Sequence, residues 1–281
     1  MSVTGNTQLG ATKQDLIAAV VQKELKFNAI LSAYVTDVSQ FAVKGAKSVS
    51  FPKLASFTVQ NRASATAGNI QTLLAATDKL DLDINAYVSW LIDASDEVQS
   101  SLSAKLEFAA RAAAAHGRYV DENIVTEVKA NAGFVASAVS LRDKVLETRA
   151  WLKRNEGMLE QTVFLVAPEM ESELLKVDEF SKADVFGQSV IPTGVIGRIY
   201  GMPVVTHSGL ADDESFIWEK TGLALAFQAA PNYASQPAIE YGTQSVREAM
   251  DQLFGIKALQ IDQGTNTLAT KSALIAKVTG A

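Results

Sequence analysis

Two histidines, His116 and His207, are the whole imidazole inventory of the 281-residue sequence, and cysteine is absent. That pair of facts removes thiolate nucleophiles, thiolate metal sites, iron–sulfur clusters and disulfide frameworks together. His116 stands among alanines and His207 at a strand end before a turn, and neither has a second ligand at metal-binding spacing. Gly194-x-x-Gly197-x-x-x-Gly201 fits neither the dinucleotide fingerprint nor the P-loop, and it lies between strands rather than at a strand-to-helix junction. Ser208-Gly209 lacks the flanks of a nucleophile elbow. Asp212-Asp213-Glu214 reads as a solvated acidic loop, and Asp81 and Asp83 share one strand face with no neighbouring acid or base. No catalytic, cofactor-binding or metal-ligating residue is expected, and no enzymatic activity.

Composition narrows the class further. Twenty-five basic residues against 31 acidic ones leave a net charge of −6, the opposite of what phosphate binding by counterion release needs. Basic residues with interleaved aromatics do not cluster along the sequence. Hydrophobic residues make up 48% and charged ones 20%, enough for a sizeable core. Met1 to Thr12 is small and polar, and the apolar stretch after it is broken by Lys23, Glu24 and Lys26. Neither a secretory signal nor a membrane span is expected, and the chain reads as made in a cytoplasm-like compartment.

The elements that would position these residues follow from periodicity. Lys13 to Ser32 is amphipathic at helical spacing through Leu16, Val20, Phe27 and Leu31. From Phe41 the period becomes two. Leu80, Leu82, Ile84, Ala86 and Val88 alternate strictly with polar neighbours and predict one strand. Asn61 to Asn69 reads as a loop or tip, so Val43 to Trp90 forms a long hairpin. Asp93 to Asp96 supplies caps for a helix running to Lys129, in which seven of the twelve residues from Ala104 to Ala115 are alanine. Something packs very close to that stretch.

After Gly133 a helix is predicted over Ser140–Asn155, a buried strand over Thr162–Ala167 and a helix from Pro168 to Val177. Two short strands meet around Gly201, and a second pair, Phe216–Trp218 and Leu223–Phe227, meets around Lys220–Gly222. Ala238–Gln260 is expected to return and pair with the strand near Leu80–Val88, which makes the first domain discontinuous. Asp262–Ala281 reads as a loop and a weak helix. A two-stranded ribbon is marginal in water by itself. With an arm, a strut and an inserted domain, it describes a subunit that buries surface by overlapping copies of itself.

This order of parts resembles the major capsid protein of tailed double-stranded DNA phages, an α+β architecture of the Hong-Kong-97 type. Gly197-x-x-x-Gly201-x-Pro203-Val204-Val205 is similar to the family's axial-domain hairpin, and Val163-Phe164-Leu165-Val166-Ala167-Pro168 to the strand before it. Tyr119-Val120-Asp121 resembles the end of its spine helix, and Phe254-Gly255-Ile256-Lys257 its closing peripheral strand. The resemblance implies an N-terminal arm (1–33), an extended-loop region (34–91), a peripheral domain with the spine helix (92–135 and 239–262), an axial domain (136–238) and a C-terminal tail (263–281). It implies homo-oligomers, pentamers and hexamers in an icosahedral lattice, enclosing double-stranded DNA without sequence-specific binding and without a membrane. A separate scaffolding protein, a portal and a decoration protein are the implied partners, with assembly in the host cytoplasm and residence in the virion.

Phe57, Val59, Arg62, Leu80, Leu82, Ile84, Gly201 and Pro203 are the subunit-interface candidates, with the Leu80–Val88 ribbon expected across an adjacent subunit. Lys44, Lys47 and Lys53 lie at the base of the loop with no matching asparagine, so no isopeptide cross-link is expected. Two other readings compete: an encapsulin-type nanocompartment shell, and a small-substrate enzyme on the 136–238 region.

Overall fold

A computed structural model describes residues 30–54, 61, 75–92, 102–155, 161–174, 195–238, 240, 245–260 and 272–280. The amphipathic stretch before residue 30 lies outside them, as does most of the expected 61–69 tip.

Alanine decides where the long helix goes. Helix α1, Leu102–Asn131, has 30 residues and is about 45 Å long. Ala109, Ala113, His116, Val120, Ile124 and Val128 are buried at intervals of three and four. The alanines rest on Tyr233 and Met250, with Val88 and Trp90 beside them. A helix face that ends at Cβ lets a sheet bearing large side chains come close. The sheet has four strands in the order β1 (Thr36–Asp37), β10 (Leu223–Pro237), β11 (Val246–Ala258) and β4 (Ile84–Ile92). Strands β4 and β11 run antiparallel from Ile84↔Phe254 to Ile92↔Val246. The expected return of the late segment onto the early one is therefore present, and this layer is discontinuous in sequence.

The second sheet has six strands, β5 (Ala132–Val135), β12 (Ser272–Thr279), β9 (Glu214–Glu219), β6 (Thr162–Val166), β8 (Met202–Thr206) and β7 (Val195–Ile199), in that order. All five residues of β6 are buried. Its unbroken apolar run is the signature of a strand covered on both faces. Helix α2, Leu141–Arg154, starts where the Ser140 hydroxyl accepts from the Asp143 amide at 3.1 Å. A short helix α3, Pro168–Leu174, buries Met170 and Leu174. The β7–β8 turn has φ of +48° at Tyr200 and +89° at Gly201. Two left-handed residues in succession match the twist of a two-residue hairpin.

Three sequence expectations need correction. The strand expected over Leu80–Val88 is two strands. Strand β3, Ala75–Asp81, pairs with β2, Ser48–Leu54, in a separate two-stranded ribbon, and β4 begins at Ile84 in the four-stranded sheet. Alternation continues across Leu82 and Asp83 although the partner changes, because period two reports facing and not pairing. The extended-loop region 34–91 thus gives β1 and β4 to the four-stranded sheet.

The pair expected around Lys220–Gly222 is not a hairpin. Strand β9 belongs to the six-stranded sheet and β10 to the four-stranded one, and a 3-10 turn at Lys220–Gly222 carries the chain between them. Residues 223–237, assigned to the axial domain from sequence, belong with α1. Finally, Ser272–Thr279 is a strand, not a weak helix in a tail. It lies between β5 and β9, with Leu274, Ile275, Ala276 and Val278 buried. The Lys144 ammonium secures its end by donating to the carbonyls of Thr279 (3.1 Å) and Gly280 (2.6 Å).

Candidate assembly surfaces

The ribbon is held at its root. Leu80 and Leu82 are buried with Val38, Ala42, Val49, Ala224 and Ala226, and Phe51 packs against them. The Leu82 amide donates to the Lys47 carbonyl at 2.9 Å, and the Gln260 amide to the Asp78 carboxylate at 3.0 Å. Strand β3 crosses β11 at Gly255, where a Cβ would stand 2.0 Å from the Asp81 carbonyl oxygen. Only glycine admits that approach. Beyond the crossing Ser50, Pro52, Thr77 and Lys79 are exposed.

This placement divides the interface candidates. Leu80 and Leu82 are 0% and 7% exposed inside their own chain, so the expectation that they lie across an adjacent subunit is corrected: they anchor the ribbon. Ile84 is half-buried against the main core. Gly201 is exposed in the β7–β8 turn, and Pro203 is half-buried opposite Arg198. Phe57, Val59 and Arg62 lie outside the described residues. Among the described residues the structure does not bring the candidates together at one place.

Sequence reasoning missed several surfaces. Strand β4 is an edge of the four-stranded sheet, and Tyr87 (53% exposed) and Leu91 (45%) project from it. Arg247 Nη2 donates to Tyr87 Oη at 2.6 Å. A hydrogen bond with Ser89, then that with Arg247, lowers the Tyr87 pKa. Strand β5 is an edge of the other sheet, with Val135 and Val139 exposed nearby, and Phe41 and Val43 are exposed before the ribbon. Apolar side chains at sheet edges mark contact surfaces.

Where the chain enters the body at Ile30, α1 supplies the anchor. The Asp121 carboxylate accepts from the Ile30 and Leu31 amides, each at 3.2 Å, while the Trp218 indole donates to the Tyr34 carbonyl at 3.1 Å. Burial outweighs the two amides and pushes the Asp121 pKa up to about 7. No sequence signal separates this aspartate from a solvated helix acid.

Among the residues that suggested chemistry, His116 is buried, and His207 and Glu214 have structural partners. Burial lowers the pKa of both His116 and His207, and His207 Nδ1 accepts from the Gly209 amide at 3.0 Å. Glu214 bridges Lys129 (3.0 Å) and Lys277 (2.5 Å), and the Asp213 carbonyl accepts from the Gly280 amide at 2.7 Å. The acidic loop ties α1 to the C-terminal strand. Among the described residues no group of three or more His, Asp or Glu side chains is placed to hold a metal ion, and no helix is long and apolar enough to cross a membrane.

What remains is a two-layer body, a ribbon pinned at its root and apolar sheet edges. A family model described as phage capsid protein matches residues 28–252. The chain belongs to that phage capsid family. This capsid protein has the Hong-Kong-97-type fold, as solved structures bear out. It is similar to a Mycobacterium phage Che8 structure with TM-score 0.68 at 18% identity, covering 88% of this chain and 90% of that one. The head structure of Helicobacter pylori bacteriophage KHP40 gives 0.65 at 10% identity, covering 88% and 89%. A virus-like particle from Pyrococcus furiosus gives 0.60 at 8% identity, covering 95% and 99%. No curated protein is matched by sequence. The family is one of structural shell proteins, which makes the chain a component of the virion.

Proposed function

We propose that this capsid protein assembles as pentamers and hexamers into the icosahedral head of a tailed phage and encloses double-stranded DNA without reading its sequence. The match of a phage capsid family over residues 28–252 is the observation that supports this reading most strongly. A net charge of −6 suits a container through which DNA must move. Assembly occurs in the host cytoplasm with a separate scaffolding protein, a portal fills one vertex, and a decoration protein reinforces the shell.

Four units follow from the resemblance as amended by the sheets. An arm precedes residue 34, and the extended loop is the ribbon between 48 and 81. The peripheral unit joins α1 to the four-stranded sheet, and the axial unit joins α2 and α3 to the six-stranded sheet. The C-terminal segment is the axial unit's second strand. In the assembled shell the ribbon beyond Gly255, with Phe57, Val59 and Arg62, lies on a neighbouring copy, as do Gly201 and Pro203 around the axis of each capsomer.

The 95% coverage by the Pyrococcus furiosus virus-like particle favours a second reading, a shell of the encapsulin type that holds protein cargo. Electron microscopy of particles from the recombinant chain, with nuclease-protected DNA measured after co-expression of a portal and packaging motor, separates the two. Closed shells that fill with DNA support the phage reading. Closed shells that never fill and retain a co-expressed enzyme support the second, and a small uniform oligomer removes both.

A further inference from the structure

Helix α1 meets β11 through apolar contacts on either side of one polar stretch. Ala109, Ala112 and Ala113 rest on Met250, and Tyr119 packs edge-on to Phe254 with ring centroids 6.3 Å apart. Between them lies His116, whose imidazole the Met250 carbonyl approaches, and Gln252 is the inward-facing residue between Met250 and Phe254. Both side chains are 1% exposed. Neither imidazole nitrogen and neither amide atom of Gln252 completes a hydrogen bond. Buried polar atoms are nearly always paired, so four unmatched ones along a single stretch mark a weak contact. The sheet is irregular at the same place. From Ala229 to Asn232 the register advances three residues on β10 against two on β11, Leu253 to Asp251, so the extra residue falls opposite Gln252. Pro231 lies in that step and has no amide to donate.

We infer that His116 makes the seat of α1 on the four-stranded sheet acid-releasable: the helix packs down while the imidazole is neutral and comes away from β11 around Met250–Phe254 when it is protonated. The physical reason is desolvation, since a charged ring here would be buried without a paired anion. Asp251 acts on it from β11 but is exposed, and the Glu248 carboxylate is engaged by the Tyr233 hydroxyl. Strands β4 and β10 contribute the phenols of Tyr87 and Tyr233 and no charged side chain. On α1 itself Arg111 and Arg118 are exposed, and Asp121 holds the Ile30 and Leu31 amides. The 31–34 turn and β12, which pack on α1 as well, bring Tyr34 and Lys277. Burial holds the His116 pKa below its ordinary value, outweighing the Met250 carbonyl and Asp251. Released to water, the imidazole takes its proton near 6.5; seated, it takes it at lower pH. The stability of the seat is therefore full above pH 6.5 and is lost as pH falls from there toward the folded value. The inference is independent of what the shell encloses.

The test is amide hydrogen exchange of the full chain from about pH 8 to about pH 5, corrected for the intrinsic pH dependence of exchange. It is paired with an NMR titration of the two imidazoles, which His207→Gln assigns. Opening of α1 around 109–120 and of β11 around 248–254 is expected to rise by up to about tenfold per pH unit below 6.5, while β6 keeps its protection. His116→Gln keeps a neutral polar side chain and His116→Leu an apolar one. Each is expected to abolish the rise, and thermal melts at about pH 8, where the imidazole is neutral, show which variant retains the fold. His207→Gln is expected to leave the rise in place. Asp121 shifts stability the opposite way over this range and is common to all these chains, so the difference between parent and variant isolates His116. A rise that persists in a folded His116 variant, a His116 imidazole that titrates at 6.5 or above in the folded chain, or acid loss of protection spread equally over β6 overturns the inference.

Discussion

The six-stranded sheet and the two-stranded ribbon belong to one chain and are stabilised in different ways. In the sheet, β6 is buried on both faces, and β12 is drawn in from the far end of the sequence to lie between β5 and β9. Its core closes within the chain. The ribbon has two strands and hydrophobic burial at its root alone among the described residues, at Val49, Leu80 and Leu82. A pair of strands gains little from its own hydrogen bonds in water. The first region is a finished fold, and the second is anchored at its root, with its outer part assigned to other copies in the proposed assembly. A shell subunit needs both: a body that survives before assembly and a projection that gains its full burial only on assembly.

The comparison breaks most sharply at Gly255. Gly255→Val forces a Cβ onto the Asp81 carbonyl and is expected to cost more than about 5 kcal/mol, read as loss of soluble folded chain. A variant with an unshifted denaturation midpoint would show that β3 does not cross β11 there. Next come the two cores. Phe164→Ala in β6 is expected to cost about 3–5 kcal/mol and Leu80→Ala about 2–5 kcal/mol. Hydrogen exchange sharpens the contrast, since Phe164→Ala should lower protection across the whole six-stranded sheet and Leu80→Ala chiefly in β2 and β3. Equal loss everywhere would make the ribbon part of one cooperative unit.

Asp121 gives a pH signature for the N-terminal junction. Its carboxyl titrates near 3.8 unfolded and about 7 folded, because burial disfavours the charge. The folded state therefore holds the proton more tightly. The stability this contributes is fully present below pH 3.8 and is lost as pH rises through about 7, a span of about 4 kcal/mol. Asp121→Asn should flatten that slope in denaturant titrations across the same window; an unchanged slope would exclude the role. Smaller is Lys144→Met, which frees the carbonyls at the end of β12 and should cost about 1–3 kcal/mol. Smallest is Gly201→Ala, about 1 kcal/mol for a Cβ at positive φ, with assembly measured alongside because the turn is exposed.

Much of this was readable in the sequence. Alanine density located the close helix–sheet contact, the continuous apolar run at Thr162–Val166 located the central strand, and the late segment was matched to its early partner. What escaped did so for physical reasons. Leu274–Ala276 is buried on both faces, so this strand lacks the alternation by which a half-exposed strand is recognised. Leu82–Asp83 hides a change of partner inside uninterrupted alternation. Lys220–Gly222 has the residues of a tight turn, and only the three-dimensional sheets decide that it joins two layers. The burial of Asp121 depends on a segment ninety residues earlier in the chain. The interface candidates were the least legible, since alternation marks a face as apolar without telling whether the same chain or a copy covers it.

The central claim is that this chain completes its burial by assembling with copies of itself. Sedimentation velocity of the purified full chain over a range of dilutions tests it directly. The account predicts capsomer-sized or larger species of uniform size that dissociate on dilution, with ribbon amides gaining exchange protection in the assembled fraction. A single monomeric boundary at every concentration, with the ribbon already as protected as the six-stranded sheet, would contradict it.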